Sequence, residues 1–174
     1  MNKPTMEELI AKVEKLKSTG ELDLSIEEDL SIAVMNLISL EEHFYFTAEK
    51  TGNNEYFDLL NQTREMRKQL LEKMIDKHEG ETWCIAKHLL ATTMRLMEVG
   101  TKLQSSGKKE EAQDMFKKAY EIYSLFWALR LKLIDVSDVK RVEDNRLNIH
   151  DKSGSGKSMT KEDIISKLVD CCKE

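Results

Sequence analysis

A chain of 174 residues, 40% hydrophobic and 34% charged, is long enough to bury one sizeable core. One proline and seven glycines exclude a turn-rich β-fold, and a net charge of −5 with both signs interspersed excludes the basic surface of a nucleic-acid binder. No apolar run reaches the roughly 18 residues of a membrane span, "MNKPTMEELI" has no signal-like apolar core, and three cysteines, two of them adjacent, make no disulfide framework, so a cytoplasmic protein is expected.

Thr5 with Glu8 has the spacing of a capping box and opens a short helix to about Lys17, broken by "STGELD". Ser25 with Glu28 repeats the box and opens a long helix to about Lys50, which Gly52 stops. A third helix is expected from about Asn54 to Asp76, a fourth from about Glu81 to Gln104 and a fifth from about Lys109 to Ile134. Short loops make sequence neighbours antiparallel. The fold class is therefore all-α: an antiparallel bundle of four long helices preceded by a short one, together spanning residues 1–135.

Beyond Asp135 the periodicity decays, and residues 136–159 have the polar, glycine-containing composition of a linker. Thr160 with Asp163 then opens a short C-terminal helix over residues 160–174. Within the linker, "HDKSGSGKSMT" ends like a phosphate-binding loop. That loop needs a glycine where Asp151 stands, because its backbone wraps the phosphates, and a buried strand before it, where "RVEDNRLNI" is too charged. The segment is a tether.

At about 100° per residue, Ile26, Leu30, Val34, Leu37, Leu40, Phe44, Tyr45 and Ala48 share a face of the second helix, with Glu41 in its middle. Leu59, Leu60, Met66, Leu70, Leu71 and Met74 share a face of the third, with Arg67 at the centre and Arg64 at the edge. Folding the hairpin near Gly52 brings Glu41 level with Arg64 and about one turn from Arg67, so the three can meet inside the bundle. Three readings stand: a buried ion pair that fixes helix register, a polar pocket in which the arginines receive a carboxylate or phosphate, or a partly exposed seam. A second candidate groove lies on the fourth helix, where Cys84, Lys87, His88, Arg95 and Glu98 fall within one arc; the alternative is a solvent-facing stripe. Cys84 and His88 at i and i+4 lack the further ligands of a metal site, and Arg130, on an apolar face, snorkels or caps a helix end.

"LMEVGTKLQSSGKKEEAQDMFKKAYEIY" resembles a tetratricopeptide (TPR) repeat over about residues 93–126. Leu96, Val99-Gly100, Leu103, Gly107, Ala112, Phe116 and Ala119 stand at the family's offsets, with Ser124 where the pattern has proline. The resemblance implies a protein-binding hairpin in which Gly100, Ala112 and Ala119 let two helices approach while Leu96, Leu103 and Phe116 fill the seam. No histidine has a glutamate three residues before it, as a di-iron bundle requires, and no serine or cysteine nucleophile has a visible base. The expectation is a binding or scaffold module rather than an enzyme. Its partner is another protein or a second copy of itself, not nucleic acid or membrane, and no metal or cofactor is expected. The alternative is a bundle that binds a small anion at Glu41, Arg64 and Arg67.

Overall fold

Capping and turn residues set the limits of the helices in the computed structural model, which describes residues 5–20, 23–76 and 82–134. The linker and C-terminal helix expected at 136–159 and 160–174 lie outside these residues. Helix α1 is Met6–Ser18, α2 Leu24–Thr51, α3 Glu55–Glu72, α4 Thr82–Ser105 and α5 Lys109–Arg130. No strand occurs among the described residues, so the fold is all-α.

Thr5 closes the expected capping box: its backbone N donates to Glu8 Oε2 at 2.7 Å and its Oγ1 accepts from Glu8 N at 3.3 Å. The cap of α2 differs from the expectation. Asp23, not Ser25, is the N-cap, and its carboxylate accepts from Ser25 N at 3.1 Å and Ile26 N at 3.2 Å. A charged acceptor at the positive end of the helix dipole takes precedence over a serine two positions inside it. Gly52 ends α2 in the left-handed region, φ 68°, and its N–H donates to Ala48 O at 2.8 Å.

Helices α3 and α5 stop short of their expected ends. After Glu72 the chain tightens, Met74 N donating to Leu71 O at 3.0 Å, and this turn carries Met74 and Ile75 inward to be buried. After Arg130, Leu133 N donates to Ala128 O at 2.8 Å and Lys132 N to Leu129 O at 3.0 Å. These two bonds are a Schellman motif with Lys132 at φ 53° in the position glycine usually takes. Lys12 Nζ of α1 donates to Lys132 O at 2.6 Å, tying to this turn a helix that buries none of its own residues.

Helices α2 and α3 form one antiparallel hairpin and α4 and α5 another, with α2 also packed along α4. Val34 and Met35 of α2, Leu71 of α3, Trp83, Cys84, Ala86 and Leu90 of α4, and Phe126 and Leu129 of α5 share one core with Met74 and Ile75. Burial of each large aliphatic or aromatic side chain contributes roughly 1.5–3 kcal/mol. The core sits where the N-terminal halves of α2 and α4 meet the C-terminal ends of α3 and α5. Tyr123 and Phe126 stack there and Trp127 meets both edge-to-face, with ring centroids 5.6–6.1 Å apart.

The buried face of α2 is rotated from the one its apolar residues predict. Ile26, Leu40 and Tyr45 are exposed, whereas Glu27 and Ser31 are buried beside Val34 and Met35. Both polar residues are paired across to α5. Tyr123 Oη lies 2.7 Å from Ser31 Oγ; since Ser31 donates its own proton to Glu28 O at 2.7 Å, the tyrosine hydroxyl is the donor. On the α4/α5 hairpin, Gly100, Ala112 and Ala119 are all buried, and a Cβ at Gly100 would lie 2.5 Å from Phe116 Cε1.

Candidate functional site

Glu41 and Arg67 meet as their places on the α2/α3 hairpin demand. Arg67 Nε donates to Glu41 Oε1 at 2.8 Å and Nη2 to Oε2 at 3.3 Å, a two-pronged contact that aligns the planes of guanidinium and carboxylate. The arginine side chain is 1% exposed and the glutamate 15%. Thr63 and Leu71, one turn to either side of Arg67, are buried with it, while Arg64 is half-buried. The carboxylate occupies the place that an anionic ligand would take on Arg67. The geometry is that of a closed pair that holds α2 and α3 in register.

A second fork of the same kind joins α2 to α5. Arg130 Nε donates to Glu27 Oε2 at 2.8 Å and Nη2 to Oε1 at 2.5 Å, at side-chain exposures of 21% and 11%. Arg130 stands out in the sequence, but its partner does not, because Glu27 adjoins Ile26 in a stretch whose apolar residues suggest a different face.

The stripe on α4 is divided by the fold. Cys84 is buried in the core, Lys87 is half-buried and His88 is exposed. Cys84 therefore forms no wall of a solvent-facing groove: Trp83, Ala86 and Leu90 bury the first turns of α4 on several sides at once. Among the described residues no three His, Cys, Asp or Glu side chains gather as a metal site, and no helix is long and apolar enough to cross a membrane. Arg95 and Glu98, further along, line a cleft of about 280 Å³ between α2 and α4 with Glu42, His43, Phe46, Lys50 and Met94. Arg95 is paired with Glu42 across it.

Away from the core, on faces that do not line this cleft, the core stripes come out into the open. Seven residues are two helical turns and return to nearly the same face. Ile38 and Leu90 pack in or on the core, as does Trp127. Two turns farther from the core, on the same faces, stand Tyr45 on α2, Met97 on α4 and Tyr120 on α5, exposed by 47%, 46% and 73%. Phe46, in edge-to-face contact with Tyr45 at 5.3 Å, adds to the exposed surface. The bundle is closed at one end and uncovered at the other.

The sequence marks only the α4 wall of this cleft, where Arg95 and Glu98 belong to the expected groove; its α2 wall is unmarked. Its residues are ordinary helix-surface charges and aromatics whose neighbours are decided by how two distant hairpins meet. Comparison of the chain with models of known protein families, with curated protein sequences and with solved structures gives no match.

Proposed function

We propose that this chain is a protein-interaction module that takes an amphipathic helix of a partner protein into the open half of the bundle, along the cleft between α2 and α4. The observation that carries the reading is the cleft itself, in which Phe46, 48% exposed, and the half-buried Met94 lie uncovered among charged side chains. Aromatic and methionine side chains left uncovered on a concave surface are what a helix-in-groove contact uses, with apolar anchors at i, i+3/i+4 and i+7 entering and charges at the rim fixing register. Glu42, Lys50, Arg95 and Glu98 supply such a rim with both signs. The TPR-like pattern of residues 93–126 supports the same reading, since it implies a hairpin of protein-binding type.

The anion-binding alternative requires an open Arg67, and Glu41 already occupies that guanidinium. Photo-crosslinking tests the proposal. Benzoylphenylalanine at Phe46 or Thr47 is expected to capture one defined protein in cells. The same group at Ile32 or Met66, exposed but away from the cleft, is expected to capture none. Equal capture at all positions, or none at Phe46 and Thr47, contradicts it.

A further inference from the structure

The cleft as it stands is too narrow for the helix assigned to it. From Ser39 to Lys50 it runs eleven residues along α2, about 17 Å at 1.5 Å per residue. A volume of about 280 Å³ spread over that length leaves a mean cross-section of about 16 Å², roughly 4 Å across. An α-helix with its side chains is about 10–12 Å in diameter, so one sunk to half its depth needs about 40 Å² or more. Single side chains fit. A helix enters only if α2 and α4 move apart.

The fold lets them part at this end. On α2 the shared core stops at Ile38 and on α4 at Met94. Farther along, Tyr45 and Met97 are about half exposed, so little apolar burial joins the two helices there. What crosses the cleft is charge: Arg95 of α4 donates to the carboxylate of Glu42 on α2, just past the last core residue on each helix. Their side chains are 51% and 44% exposed. An ion pair this wet shifts an equilibrium by only about 1.4- to 5-fold, and salt screens it. It favours a closed cleft without fixing it closed, as a displaceable contact requires.

We propose that Glu42 and Arg95 form a clasp. It holds the cleft shut in the free protein, and when it breaks the α2/α3 and α4/α5 hairpins swing apart about their shared core to admit the partner helix. The proposal rests on the binding role assigned to the cleft and adds the conformational step that binding requires.

Distances between spin labels test the motion in the full chain, carrying Cys171→Ser and Cys172→Ser and with Cys84 left shielded in the core. Labels at Glu49 and Lys102, each two turns beyond the clasp on its helix, report the open end. Labels at Asn36 and His88, exposed beside the core, report the other. Arg95→Glu turns the pair repulsive. In that variant the Glu49–Lys102 distribution is expected to gain a population longer by about 5 Å, at least about 1.4- to 5-fold above its wild-type share, while the Asn36–His88 distance stays. The exchanged pair, Glu42→Arg with Arg95→Glu, is expected to restore the wild-type distribution. An unchanged Glu49–Lys102 distance in Arg95→Glu overturns the proposal. Lengthening at both ends also overturns it, because that is loss of the core rather than a swing about it. So does lengthening that the exchanged pair leaves in place, since the pair then does not hold the cleft. Unchanged distances with continued capture at Phe46 remove the clasp alone. Distances that behave as expected, without capture at Phe46, remove the binding role and leave the clasp.

Discussion

Arg67 owes its position to two facts visible in the sequence: charges interrupt the apolar stripes of two successive helices, and the hairpin turn at Gly52 brings Glu41 within about one turn of Arg67. The contact itself, a closed fork with Glu41, decides how substitutions read out. Arg67→Ala leaves a largely buried carboxylate without its partner and is expected to cost about 3–5 kcal/mol in urea unfolding, while Glu41→Leu with Arg67→Met recovers most of that loss. A single variant as stable as the wild type contradicts the pair's structural role. Gly100 offers a second test at this scale. In a helix interior Gly→Ala gains about 1 kcal/mol, but here the added Cβ meets the Phe116 ring. The gain is expected in full only in a Phe116→Ala background, giving a coupling of about 1 kcal/mol in a double-mutant cycle; additive changes refute the contact.

For whole helices, local signals locate the elements and long-range partners set their faces. The α1 capping box and the glycine at the end of α2 were legible because each is completed within a few residues. The face of α2 was not, because Glu27 and Ser31 are buried only by virtue of Arg130 and Tyr123, about a hundred residues away. The end of α5 was missed for a different reason: its stop residue is a lysine, in the position where helices commonly have glycine. Left-handed backbone costs a non-glycine residue about 1–2 kcal/mol. Lys132→Gly is therefore expected to raise stability by about 1 kcal/mol, with Lys132→Ala giving no such gain, measured by thermal unfolding. A drop on introducing glycine contradicts the Schellman account.

In the molecule as a whole, the two hairpins share one core at one end and expose the continuation of its stripes at the other. This asymmetry was out of reach of periodicity, which shows that a face is apolar but not where along its length a neighbour covers it. It also separates the two candidate sites. The charged cluster legible in the sequence, Glu41 with Arg67, lies inside the α2/α3 hairpin and holds it together. The cleft that follows from the meeting of the hairpins presents apolar anchors and a charged rim. The contrast is most directly measured by calorimetric titration of the protein captured at position 46 into three forms of this chain. Phe46→Asp is expected to weaken binding at least about tenfold, the loss of roughly 1.4 kcal/mol or more that follows removal of a central aromatic anchor. Glu41→Leu with Arg67→Met is expected to bind like the wild type. Undiminished binding by the cleft variant, or its loss in the buried-pair variant with the helical spectrum intact, contradicts the account.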